Sequence, residues 1–175
     1  MPSIRTAVAL AACLAVAPLA HAKKPSLTTA LHAGDGSNVG TATFTQTKKG
    51  LRIHIVVHGL PFGDHAVHIH QFARCDAPDF KSAGGHFNPD GKQHGMNNPM
   101  GHHAGDLPAN LSVGEDHNGE ADFTVNYLSL DPYSPHSIVA NGGTSIMIHD
   151  HADDMMTDPT GNAGNRIACG VIFQP

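Results

Sequence analysis

The chain is poor in charge: Asp, Glu, Lys and Arg make up 14% of its 175 residues. Its 10 Lys and Arg form no basic patch, and the net charge is −5 with neutral histidines. A deficit of that kind argues against a nucleic-acid partner. Long hydrophobic runs are missing apart from one, residues 7–20, which is too short to span a bilayer. No stretch carries a convincing helical period, and there is no internal repeat or low-complexity run. The missing period points away from helical architectures and toward an all-β sandwich or barrel. Cysteine is scarce as well, with three in the chain.

The single apolar run, AVALAACLAVAPLA, follows Arg5 and ends at the small-x-small site Ala20-His21-Ala22. This is the pattern of a secretory signal peptide. Residues 1–22 are therefore expected to be removed, residues 23–34 to form a polar N-terminal tail, and residues 35–175 to form the domain. The expected compartment is the periplasm. Leu10-Ala11-Ala12-Cys13 also reads as a lipoprotein cleavage box, which would tether the protein to a membrane through Cys13. Cleavage leaves Cys75 and Cys169, and an even count in an exported chain reads as one disulfide. Two buried thiols are the alternative.

Short strand patterns alternate with loops rich in Gly, Pro and Asn. Threonine-rich Thr41–Thr47, the turn Lys48-Lys49-Gly50 and a run in which Leu51, Ile53, Ile55 and Val57 alternate with Arg52, His54 and His58 predict a hairpin. Further strands are expected at Ala66–Phe72, after the Asn118-Gly119 turn through Ala121, Phe123 and Val125, at Thr144–His149 and at Ile167–Phe173. Between them, residues 71–120 and 150–165 read as long loops, which need something to order them.

What the chain has in excess is histidine, 15 residues against 10 Lys and Arg. His68 and His70 lie two apart in a strand pattern, so they project from one face. His86, His94, His103 and Asp106 fall in one loop and make a four-ligand set suited to zinc. His149 ends an apolar strand. His102 and His151 adjoin these positions and are competing ligands; the H-x-G-D spacing favours His103.

These segments resemble the copper-zinc superoxide dismutases, in particular the bacterial exported type. The matching stretches are His68-Ile-His70, Gly84-Gly-His86-Phe-Asn-Pro89, His94-Gly95, His103-Ala-Gly-Asp106-Leu107, Ile148-His149, Ala152-Asp153-Asp154 and Gly161 through Arg166 and Cys169 to Val171. The resemblance implies an eight-stranded Greek-key β-barrel, sandwich-like, with two long metal-binding loops. It implies copper on His68, His70, His86 and His149, and zinc on His86, His94, His103 and Asp106, with His86 bridging. Asp153 matches a carboxylate that links a copper histidine to a zinc histidine, and Arg166 matches the arginine that binds the superoxide anion. Cys75 and Cys169 match the structural disulfide of the family. The implied reaction converts two superoxide anions to O2 and H2O2, with His86 and Arg166 as the catalytic residues. Members include monomers and dimers, so a homodimer stays open. Two departures stand out. Residues 150–165 contain no lysine, which leaves substrate steering to Lys81 or Lys92, and Asn165 stands where serine is common. Other readings of the same ligands are an exported module that stores or delivers metal and a zinc-only structural domain.

Overall fold

The computed structural model describes residues 25–173. The leader over 1–22, with Cys13, lies outside the described residues. Nine strands run in chain order: β1 Ser26–Ala33, β2 Asn38–Thr47, β3 Gly50–His58, β4 Gly63–His65, β5 Val67–His70, β6 Leu111–Val113, β7 Asn118–Val125, β8 Thr144–His149 and β9 Arg166–Ile172. All pairings are antiparallel, in the order β4-β6-β7-β3-β2-β1-β9-β8-β5. The two ends of that order, β4 and β5, are separated only by Ala66. One continuous stretch of chain therefore sits at both edges and nearly closes the sheet into a barrel. Counted as a single path interrupted at Ala66, Gly63–His70 makes the expected eight strands. Closure suits a small β-domain because it removes the unpaired edges through which sheets aggregate.

The predicted hairpin is β2–β3, whose register runs from Thr47 opposite Gly50 to Gly40 opposite Val57. Its alternation divides as the pattern requires: Leu51, Ile53, Ile55 and Val57 are buried, while Arg52 and His58 face water. Each fully buried aliphatic side chain contributes about 1.5–3 kcal/mol. The inner face continues through Leu31, Phe44, Ile69, Leu111, Ile146 and Ile148.

Two expectations need correction. The polar tail assigned to residues 23–34 holds strand β1, which pairs with both β2 and β9. Its threonines conceal an alternation in which Leu27 and Leu31 turn inward and Ser26, Thr28 and Ala30 turn outward. The long loop over 71–120 is broken by a 3-10 turn at Lys81–Ala83, by β6 and by the start of β7. Among the described residues, no helix is long and apolar enough to cross a membrane.

β5 positions the site. All four of its residues are buried, because both of its faces are covered. Val67 and Ile69 point into the barrel. His68 and His70 point outward, under the loop that follows. That loop is stitched to the strand through Ile69, whose N–H donates to the Gly105 carbonyl (2.8 Å) and whose carbonyl accepts from Phe87 N–H (2.8 Å). Gly105 must be glycine for this contact, since a Cβ there would strike the Ile69 carbonyl and approach Phe87 N to 2.9 Å. The stitch sets His86, just before Phe87, against His70 and Asp106, just after Gly105, against His68.

Candidate metal centre

Four imidazoles meet outside β5. His68 and His70 come from the strand itself, His86 from the stitched loop and His149 from the end of neighbouring β8. One donor atom from each lies within 4.8 Å of the others. The rings are nearly or wholly inaccessible, with residue exposures from 0% to 7%. In three of the rings, His68, His70 and His86, the other nitrogen is spoken for. His68 Nε2 donates to Asp153 Oδ2 (2.8 Å), and His70 Nδ1 donates to the Gly84 carbonyl (2.9 Å). What remains is His68 Nδ1, His70 Nε2, His86 Nε2 and both nitrogens of His149, all buried without a hydrogen-bond partner. Buried polar atoms are nearly always satisfied. Several orphaned lone pairs converging on one point therefore describe a cation site, and the all-imidazole set suits copper.

The second set sits on the far side of His86. Its Nδ1 lies 2.9 Å from Asp106 Oδ1, which also lies 3.0 Å from His94 Nδ1 and 3.3 Å from His103 Nδ1. His103 Nδ1 is 3.3 Å from His86 Nδ1. Ligands about 2.0–2.1 Å from a tetrahedral zinc stand about 3.3–3.4 Å apart; the two His103 separations match that edge, and the His86 and His94 separations from Asp106 are a few tenths of an ångström shorter. The grouping on this side whose donors all lie within 4.8 Å of one another is His68, His86, His94 and Asp106, with His103 outside it. His68 belongs to the first set instead, because its free atom is Nδ1 and its Nε2 is held by Asp153. Asp106 offers only one oxygen, since Oδ2 accepts from the backbone N–H groups of Gly95 (2.9 Å) and His103 (3.0 Å). Its carbonyl accepts from Tyr127 O–H (2.8 Å).

The environment sets the charge states. Burial, with the neighbouring His68, pushes His86 down to about 3. Burial likewise lowers His149 to about 4 and His70 well below its ordinary value. These rings are neutral at physiological pH and present lone pairs. His94 goes the other way: burial opposes its charge, but hydrogen bonds to Asp106 and Asp153 outweigh that and raise it to about 9. Burial raises Asp106 and Asp153, yet their histidine hydrogen bonds prevail and hold both carboxyls well below the usual range.

Asp153 joins the two sets. Its Oδ2 takes the His68 N–H and its Oδ1 the His94 Nε2–H (2.9 Å). Asn110 clamps its backbone, accepting from Asp153 N–H (2.8 Å) and donating to its carbonyl (3.1 Å). Gly161, at φ 64°, lies over the Asp153–His94 hydrogen bond so closely that a Cβ would strike the carboxylate. Arg166 stands across from His149 in the β8–β9 register. Its guanidinium donates to the carbonyls of Phe80 and Gly84, both at 2.6 Å, and among the described residues meets no carboxylate in a salt bridge. Burial lowers its pKa and Asp79 counters it. The Gly84 carbonyl thus receives both Arg166 and His70 Nδ1. The Cys75–Cys169 disulfide forms as expected, with a Cα–Cα separation of 5.7 Å, and ties the loop carrying Phe80 and Gly84 to β9.

Of the ligand positions singled out in the sequence, His68, His70, His86, His94, Asp106 and His149 fall in groups whose donors lie within 4.8 Å of one another, and His103 borders them through Asp106 Oδ1 and His86 Nδ1, both at 3.3 Å. The competing histidines do neither. His102 Nδ1 donates to the His103 carbonyl (2.6 Å) and its ring packs on Tyr127, while the His151 side chain is 70% exposed. Lys81 is paired with Asp79 (2.8 Å). Lys92 lines a depression with Asp90, His102, Tyr127 and His136, beside the zinc loop. Sequence reasoning missed Asn110, Tyr127, Gly161 and the carbonyls that hold Arg166. Only Gly161 and Gly84 carried a signal, as glycines within matched segments.

Comparison with known proteins agrees with this geometry. Residues 38–172 match the family described as copper/zinc superoxide dismutase (SODC). The chain is 44% identical over 138 residues to copper-zinc superoxide dismutase 1 of Aquifex aeolicus, covering 78% of this chain and 81% of that one. It is 46% identical over 143 residues to the superoxide dismutase-like protein YojM of Bacillus subtilis, covering 79% and 71%. A crystal structure of a double mutant of a SOD-like protein from Bacillus subtilis superposes with a TM-score of 0.81 at 44% identity, covering 84% of this chain and 97% of that one. The match over residues 38–172 and the identity to these relatives, joined to the barrel and its two histidine sets, place the assignment beyond the site alone: the chain belongs to the copper/zinc superoxide dismutase family.

Proposed function

We propose that this chain dismutes superoxide outside the cytoplasm, in the periplasm. The observation that carries the residue assignment is the pattern of ring nitrogens left without a protein partner. On that pattern His68 Nδ1, His70 Nε2, His86 Nε2 and His149 are assigned to copper. His86 Nδ1, His94 Nδ1, His103 Nδ1 and Asp106 Oδ1 are assigned to zinc. When bound, copper supplies one-electron exchange with superoxide, and zinc supplies a fixed, redox-silent charge.

The protein's own groups do the rest. Arg166 holds a permanent charge beside His149, with two of its donors on carbonyls and the others free for a small anion. The Phe80 and Gly84 carbonyls, held by the disulfide-bound loop, fix where that charge sits. His86 Nε2 is the ring atom placed to carry a proton to a reduced oxygen species, because Nδ1 faces Asp106 and the zinc set. Asp153 keeps His68 and His94 in the tautomers that leave Nδ1 to the metal. A disulfide that closes a 94-residue separation supports an oxidising compartment, as does the leader pattern; attachment through Cys13 is the other route to that side of the membrane.

The test is metal analysis coupled to a dismutation assay. Full-length-processed protein loaded with both metals should dismute superoxide. Arg166→Ala should keep its metal and lose most turnover, and His86→Ala should lose both. An Arg166→Ala variant of full activity would remove the arginine from the mechanism.

A further inference from the structure

Methionine is distributed unevenly in this chain. Of its 6 methionines, Met147 is fully buried in the interior beside the disulfide. Four others, Met96, Met100, Met155 and Met156, lie in the two loops that flank the metal centre. None of these four is buried, and Met100 and Met156 are 66% and 47% exposed. A methionine used as core filler would be covered, as Met147 is. Singly exposed apolar residues are ordinary on a protein surface; what sets these four apart is that they share one type and one pair of contacting loops.

The two loops bring the backbones that carry the four residues together at one rim. Asn97 N–H donates to the Met155 carbonyl (2.9 Å), and Asn98 Nδ2 donates to the Met156 carbonyl (3.4 Å). Gly95, next to Met96, packs so tightly that a Cβ there would stand 2.8 Å from the Met156 Cα. Asn98 also fixes Met100 by accepting its N–H (2.9 Å). Four flexible side chains, three rotatable bonds each, thus start from backbone that is hydrogen-bonded together. Met96 Sδ lies 3.8 Å from Tyr127 O–H, whose proton already goes to Asp106. That long contact leaves the Met96 thioether a lone pair to offer.

We propose that Met96, Met100, Met155 and Met156 form a second metal site, outside the barrel, for a soft monovalent cation, Cu(I), which it captures before copper reaches the histidine set. Thioethers are neutral, soft donors that select Cu(I) over Zn(II) and other hard ions. The local charge favours a cation: Asp150, Asp153, Asp154 and Asp158 lie in the second loop, which carries no Lys or Arg. The rim is one hydrogen bond from the centre, since Met155 N–H donates to Asp153 Oδ1 (2.7 Å) and Asp153 orients His68. The transfer part of the proposal rests on the copper assignment above; the binding part does not.

The binding test uses Ag(I), a redox-inert analogue, on protein whose histidine sites are filled with Cu(II) and Zn(II). Methionine-methyl NMR should show Ag(I)-dependent shifts for these four residues and none for Met147. Met100→Leu with Met156→Leu keeps the apolar volume at two exposed positions and should abolish the uptake while leaving zinc content unchanged. In copper-free, zinc-loaded protein, the same variant should acquire copper from Cu(I)-bicinchoninate more slowly and reach the same final content. No shift in the parent protein, or equal Ag(I) uptake by the double variant, would overturn the site. Conversion of these methionines to sulfoxide by peroxide, without any Ag(I) response, would assign them to peroxide scavenging and equally overturn it. If Ag(I) binds at the rim but dismutation fails, the fault lies with the histidine assignment and not with the methionines.

Discussion

Asp153 is the residue on which both metals should depend at once. Its two oxygens accept one imidazole N–H each, from His68 (2.8 Å) and His94 (2.9 Å), and the carboxylate is 2% exposed. Asp153→Ala leaves both N–H groups buried without an acceptor and both rings free to turn. A hydrogen bond to a charged group contributes about 1.5–3 kcal/mol, and each 1.4 kcal/mol is about tenfold in affinity. Copper and zinc should each bind about 10–100-fold more weakly, in keeping with the usual effect of losing a group that orients a ligand. Asp153→Asn is the sharper perturbation. The amide retains one acceptor and sets a donor against the second N–H, so the loss should fall mainly on one metal. Competition with chromogenic chelators, run separately for copper and zinc on both variants, reads this directly. An Ala variant that binds both metals within about twofold of the parent would refute the linking role.

Gly161→Ala should destabilise the fold by about 1–3 kcal/mol and weaken zinc binding, because its Cβ would stand 2.6 Å from His94 Nε2 at a φ of 64°; thermal melts with and without zinc check this. Replacing Cys75 and Cys169 together by serine should cost about 2–5 kcal/mol in urea denaturation, and should lower activity per bound copper by loosening the carbonyls on Arg166. Raising ionic strength from about 10 to about 200 mM should leave kcat/KM unchanged or higher, since Lys81 is paired with Asp79 and the loop over 150–165 carries four aspartates and no lysine; a steep fall would reveal attractive steering. Removing both ions with a chelator should lower Tm by about 15–30 °C, from about 8 kcal/mol of linked binding energy at metal concentrations about a thousandfold above Kd; a shift of a few degrees would mean that the histidine sets bind metal weakly.

The barrel was partly legible before any coordinates. β3 was read to within a residue because Leu51, Ile53, Ile55 and Val57 alternate strictly with residues on the wet face. β1 was not, because only two of its four inward positions are large apolar residues, Leu27 and Leu31, and the serine, threonines and histidine around them mask the alternation. Its burial comes from the partners on either side, β2 and β9, which no local window contains. β4 and β6, three residues each, are too short for any period to register. They exist because the closing sheet pairs them.

The site divides along a different line. A metal demands particular atoms, so its ligands must be histidine or aspartate, and that chemical demand is written in residue identity at His68, His70, His86, His94, His103, Asp106 and His149. What holds those ligands makes no such demand. Arg166 is seated on the carbonyls of Phe80 and Gly84, His70 on the carbonyl of Gly84, and Asp106 is fed by the amides of Gly95 and His103. Every residue offers a carbonyl, and all but proline offer an amide, so these contacts leave almost no trace in composition or spacing. They surface only as negative constraints: Gly105 and Gly161, where any side chain would occupy the space that the Ile69 carbonyl or the Asp153–His94 hydrogen bond requires. A glycine beside a predicted ligand is thus the place where sequence most directly reports a backbone that must come close, and substitution there tests the support of the site without touching a ligand.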